Sequence, residues 1–284
     1  MKHLKKILIV IAMLALLVAS FAVVIGAEEP AQGSVAKINE LIAKIEASIQ
    51  TPAADDPIAD QAKKVTAAYD YIRNPDLVWD GVSETAEYKE AVAKVDGYCI
   101  QVAQSYCNAI EDVEKDQNKS ISGVNDAYSF LTKCDPAKST AGYDEVVAAI
   151  TQKNEAVTEK LYAYVVLPDP DSTTFYATLD VERSDARSLF KQLAKCPLVS
   201  EELYTNYSMI AHRLTTLMLD EYEAFIKVAT SSSEDYWKTI NDIRTAQAFV
   251  ADVDISKAPG YSATMDRIAE NIAYSETVLE AKRQ

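Results

Sequence analysis

Apolar residues recur at steps of three and four along most of this chain, the spacing that places side chains on one face of an α-helix. Val35, Ile38, Leu41, Ile42, Ile45 and Ile49 predict a first helix that a loop at Pro52 ends. Asp56-Pro57 then sets a capping carboxylate before a proline at the first helical position, where its fixed φ and missing N–H cost nothing. The second helix carries Ile58, Val65, Ala68 and Ile72 and stops before Pro75. Ser83 is the predicted cap of a third, with Tyr88, Val92 and Val95 on its apolar face. The stripe continues through Val102, Tyr106, Ile110 and Val113, interrupted only by Gly97, so the third helix should run on into the next. Tyr143 to Val165 and Glu201 to Ala229 also read as single proline-free helices. Ser231-Ser232-Ser233-Glu234 supplies a capping box, and Tyr261, Met265, Ile268, Ile272 and Leu279 form the last stripe. No useful length alternates with period two, so strands are not predicted.

One piece of this stripe returns at a fixed interval. Val65-x-x-Ala68-x-x-x-Ile72 reappears as Val124-x-x-Ala127-x-x-x-Leu131, then Ala186-x-x-x-Phe190, then Ile243-x-x-Ala246-x-x-x-Val250. The alanines stand 59, 59 and 60 residues apart. Pro75, Pro136, Pro197 and Pro259 follow each copy at the same place, and Gly81, Gly142 and Gly260 lie in three of the same connections. A fixed period of this length points to tandem modules, each covering its neighbour's apolar face. The expected fold is all-α: an elongated tandem array of antiparallel three-helix bundles, spectrin-like, with helix three of one module continuing into helix one of the next. After a leader at 1–27, the modules are expected at 34–98, 99–157, 158–215 and 216–284.

Ala67-Ala68-Tyr69-Asp70-Tyr71-Ile72 and Asp126-Ala127-Tyr128-Ser129-Phe130-Leu131 carry a further hint. With Tyr88, Tyr143 and Tyr261 at the third-helix tyrosine position, the module resembles the short three-helix repeats, FIVAR-type among them, of long surface proteins of Gram-positive bacteria. In the third module either Tyr204 or Tyr207 could hold that position, and Arg187 and Gln247 replace the first tyrosine in modules three and four. The resemblance covers nearly all of the chain past the leader through a loose motif. It implies a spacer, a stalk or part of an adhesin.

Lys2, Lys5 and Lys6 precede an apolar run from Ile7 to Ile25, and Ile25-Gly26-Ala27 offers a cleavage site. The expectation is an exported chain, extracellular or on the cell surface; a run of this length could also stay as an uncleaved anchor. Past the leader no second apolar run is long enough to span a membrane. The formal net charge is −15, and loss of three leader lysines makes it three units more negative. Such a surface repels nucleic acid phosphates and anionic lipid, and favours a soluble monomer.

The only histidine past the leader is His212, beside Arg213 on a helix stripe. One histidine furnishes no Ser/His/Asp or Cys/His set, and no glycine-rich phosphate loop or zinc spacing occurs. Asp55-Asp56, Asp169-Pro170-Asp171 and Asp252-Val253-Asp254 do not follow a calcium-loop pattern. No catalytic residue, metal or cofactor is assigned. The expected function is a non-enzymatic spacer or interaction scaffold, with an unknown protein or glycan partner. The alternative is an adhesin or a glycan- or peptide-binding protein using an aromatic patch on one module. Most tyrosines lie on the apolar stripes; Tyr71, Tyr164, Tyr176 and Trp79 stand near helix ends or loops and are the candidate surface contacts. Cys99 and Cys107, eight apart on one helix, are about 12 Å apart along its axis, too far to bridge. Antiparallel helices turning near 116–117 set Cys99 level with Cys134. A disulfide between them and a pair of buried reduced thiols are both open readings.

Overall fold

A computed structural model describes residues 30–52, 55–74, 81–228 and 233–283. The expected leader and Trp79 lie outside the described residues. Within them all regular structure is helical. The helices are α1 (Pro30–Gln50), α2 (Pro57–Ile72), α3 (Ala86–Ala109), α4 (Gln117–Cys134), α5 (Tyr143–Tyr162), α6 (Phe175–Lys195), α7 (Glu201–Val228), α8 (Ser233–Asp252) and α9 (Tyr261–Arg283), with a short 3-10 turn at Val82–Glu84.

Local chemistry accounts for the ends. The Asp56 carboxylate accepts the Ala59 N–H at 3.1 Å, with Pro57 opening α2. Ser83 does not cap α3: it falls inside the 3-10 turn, and the Thr85 hydroxyl accepts the Tyr88 N–H at 3.2 Å instead. α3 stops four residues short of Val113 because the Asp112 carboxylate turns the backbone, accepting the Glu114 N–H at 3.0 Å. Gly81, Gly142 and Gly260 all adopt φ near 85°, the left-handed conformation that glycine takes without steric cost. Asp135 is a non-glycine residue there, with φ 46°. It ends α4 as a left-handed cap, and Pro136 follows, where the helix could not continue.

The described chain divides into two compact units. The first comprises the described residues up to Val102 together with Lys133–Thr140. Ile38, Ile42 and Ile45 of α1, Val65 and Ala68 of α2, and Val95, Cys99 and Val102 of α3 are among its buried residues. In the second unit a continuous core runs through α6, α7, α8 and α9, with Leu189, Phe190, Tyr207, Leu214, Leu219, Phe249 and Ile268 among its members. α7 lies beside α5 at one end, where the Tyr207 hydroxyl donates to Thr158 Oγ1 at 3.2 Å. Further along it is held to α9, whose Arg267 donates to Glu223 at 2.6 and 2.9 Å and to Asp220 at 2.6 Å.

All four anchor alanines (Ala68, Ala127, Ala186 and Ala246) are buried. The helix face around three of them bonds the last turn of the next anchor-bearing helix. In the first unit, Arg73 donates to the Lys133 carbonyl at 2.9 Å and to the Cys134 carbonyl, and Thr66 lies beside the Cys134 side chain. In the second unit, Asn125 of α4 exchanges amide hydrogen bonds with Gln192 of α6 at 3.0 and 3.1 Å. Arg187 of α6 pairs with Asp252 of α8 at 2.8 Å and lies 5.5 Å from the Phe249 ring centroid. Bundles joined only through a shared helix would not bring these helices together, so this contact is an addition to the arrangement read from the sequence.

Candidate functional site

The structure brings Cys99 and Cys134 together. Both are fully buried free thiols, close enough that each shifts the other's ionisation. α3 supplies Cys99 from an apolar stripe, and α4 supplies Cys134 as its final residue. Arg73 holds the α4 terminus through the carbonyls of 133–135, its guanidinium 4.9 Å from the Tyr69 ring centroid. The Tyr69 hydroxyl donates to Asp96 Oδ1, and Asp96 Oδ2 accepts the Ala137 N–H at 3.2 Å. The buried Asp96 carboxylate thus bridges a tyrosine and the turn after α4.

The two thiols are not equivalent. Cys134 beside it, and then burial, raise the Cys99 pKa. Cys134 is pushed the other way, first by Cys99 and then by Thr66 and by the charges of Arg73 and Lys133. Arg73 and Lys133 beside Cys134 favour its thiolate, and the thiolate is the nucleophile in disulfide exchange. Burial, with the hydrogen bond to Asp96, drives the Tyr69 pKa upwards. Cys107 and Cys196 are both buried and pushed up to about 11, mainly by burial. No group of three His, Cys, Asp or Glu side chains among the described residues could hold a metal ion.

The candidate tyrosines differ in exposure. Tyr164 is 49% exposed, its hydroxyl 3.4 Å from Gln117 Oε1. Tyr176 is 61% exposed, donates to Glu221 at 2.7 Å and packs edge-on to Phe175. Tyr71 is half-buried near the end of α2. The acidic pairs serve the fold: Asp252 binds Arg187, and Asp254 accepts from the Tyr204 hydroxyl at 2.7 Å and the Ser256 N–H at 2.8 Å. His212 bonds Thr264 at 2.8 Å, and burial lowers its pKa.

Sequence reasoning missed one concavity. A groove of about 560 Å³ opens between α8 and α9, walled by Val250, Val253, Met265, Ile268 and Ile272 with Gln247 at its edge. The available signal was α9 itself, which meets α7 through polar residues and leaves apolar ones elsewhere: Thr264, Asn271 and Ser275 turn to α7 while Ile268 and Ile272 line the groove. Comparison with protein-family models, curated proteins and solved structures finds no match.

Proposed function

We propose that this chain is an exported, cell-surface or extracellular, non-enzymatic helical-repeat protein that acts as a spacer or interaction scaffold. The observation that carries the reading is the anchor alanine, buried four times at a period of 59 or 60 residues. One packing unit reused along a chain builds extent rather than a single cleft. The finer architecture goes with it: four three-helix modules in an elongated array, joined through α3, α5 and α7, each helix contributing to two modules. A compact particle of this length would have a radius of gyration of about 19 Å. Small-angle scattering of residues 28–284 should give a clearly larger value, and a value near the compact one overturns the array.

The binding alternative rests on Tyr164 and Tyr176, large rings that stay exposed in and beside the α5–α6 connection. Rings of this kind stack on sugars and peptides. A glycan and protein binding screen on the secreted chain decides between the two. A spacer gives no specific ligand. A ligand whose binding is lost in Tyr164→Ala or Tyr176→Ala replaces the spacer reading with the binding one.

A further inference from the structure

We infer that the groove between α8 and α9 receives an amphipathic α-helix of a partner protein, one whose apolar stripe is edged with lysine or arginine. Such docking rests on the scaffold reading and supplies the partner class that reading leaves open.

The preceding repeat shows what this kind of groove holds. α8 packs on both α6 and α7, its Ala246, Phe249 and Val253 sharing one core with Phe190 and Leu193 of α6 and Leu214 of α7. An anchor helix and the helix after it thus form a trough for a third helix. α8 and α9 stand in the same relation one period on, with Val250 in the place of Phe190. Among the described residues, only α8, α9 and the turn between them line their trough. Ile255 and Ile268 are buried in its floor, and Val250, Met265 and Ile272 are half-buried. Ala251, Ala269 and Ala273 line it too and are exposed. Side chains this short let a helix approach to the axis spacing of packed helices, about 8–10 Å. An apolar helix face seated in an apolar groove is a general mode of peptide recognition.

Charge sets the rest of the partner's chemistry. The lining includes two carboxylates, Asp254 and Glu276, and no lysine or arginine. Burial works to raise the Asp254 pKa, but hydrogen bonds from Ser256 and the Tyr204 hydroxyl, with the Lys257 charge, outweigh it. Asp254 therefore keeps its charge at the turn end of the groove. Glu276 lies fifteen residues along α9 from Tyr261, about 22 Å up the axis, at the other end. A partner helix of about 15 residues spans that distance. Basic residues at its two ends would each meet a carboxylate, whereas acidic ones would meet like charge. Exposed pairs of this kind add little affinity each. The apolar face supplies the binding, and the charges choose the partner.

Isothermal titration of residues 28–284 at physiological ionic strength tests the docking. The probe is a synthetic peptide of about 15 residues, with leucines at helical spacing on one face and lysines elsewhere. It should bind roughly tenfold or more tighter than a scrambled peptide of the same composition, which has equal charge and no apolar face. A version with glutamate for lysine should not bind. Ile272→Glu should weaken the lysine peptide roughly tenfold or more although it adds negative charge, because a carboxylate then enters the apolar contact. Ala269→Glu, at an exposed position that folding tolerates, should act in the same direction. Glu276→Gln should weaken binding roughly two- to fivefold. Far-UV circular dichroism confirms that each variant folds. Equal binding of ordered and scrambled peptides would mean that bulk charge holds them, and overturns the docking. Full affinity in both Ile272→Glu and Ala269→Glu places the peptide on another surface and overturns it equally. Equal binding of the glutamate version rejects the cationic partner. A wild type that binds no peptide overturns the docking and leaves the scattering measurement to judge the array.

Discussion

Oxidation of the Cys99–Cys134 pair is the sharpest test of the helix register. The two thiols lie close enough to couple, so a disulfide between them is the bond this packing favours. Both are fully buried, and an oxidant reaches them during folding or local opening. With glutathione disulfide as the oxidant, the Cys134 thiolate attacks one of its sulfurs and expels a glutathione thiolate. Cys99, deprotonated, then attacks the Cys134 sulfur of the mixed disulfide and expels the second. Two protein thiols lose two electrons and two protons, and two glutathione thiols gain them. The bond closes a loop of about 35 residues, which by removing chain entropy raises the free energy of the unfolded state by roughly 4 kcal/mol, less any native strain. Over a chain of this size that raises the melting temperature by on the order of 10 °C. Refolding with and without oxidised glutathione, followed by thermal melts and non-reducing peptide mapping, provides the assay. The mapped bond should be Cys99–Cys134, and Cys134→Ser should abolish the shift. A Cys107–Cys134 or Cys134–Cys196 linkage would refute the packing of α3 against the end of α4.

Three further outcomes are expected. Phe249→Ala should cost about 3–5 kcal/mol, because the ring is fully buried and seats Arg187; hydrogen exchange should rise mainly in the second unit, and a uniform rise through both units counts against separate cores. Gly81→Ala should cost about 1–2 kcal/mol through its left-handed backbone, since nothing lies within 4 Å of the added carbon; a neutral result in urea melts would mean that the turn relaxes. His212 has its pKa lowered by burial, so the unfolded chain binds the proton more readily and stability falls as pH drops below about 6.5. His212→Gln should remove that part of the slope; an unchanged pH profile of urea stability shows that the imidazole is not the group responsible.

Period and breakers made the helices legible. Asp56-Pro57 opens α2 as its chemistry requires, and the glycines placed between copies all proved to be left-handed. The register of α3 against α4 was legible too, because two helices of known turn position leave little freedom in height. The helix ends at Val113 and Ser83 were misjudged for one reason. Short polar side chains, Asp112 and Thr85, took the backbone N–H groups that apolar periodicity had assigned to helix or to a different cap. Buried polar contacts were illegible. Nothing in the sequence marks Gln192 and Asn154 as core residues, yet they bond each other at 3.1 Å, and Asn154 also holds the Cys196 carbonyl at 2.8 Å. Ile72, on the predicted stripe, is only half-buried, whereas Glu182 is buried and accepts the Val166 N–H at 2.5 Å.

These polar positions also explain how a chain of similar repeats keeps its order. Each junction between successive anchor helices uses different chemistry at nearly the same place: a guanidinium on carbonyls with a thiol beside it, then paired amides, then an ion pair over an aromatic ring. An amide pair exchanged for an ion-pair partner would leave a donor or a charge unmatched, at about 1–3 kcal/mol or more. Apolar matching alone would tolerate the exchange, because the anchor alanines and their neighbours are nearly interchangeable in volume. Each helix is therefore selected by its own predecessor, and misregistered pairings are penalised at the polar position rather than in the core.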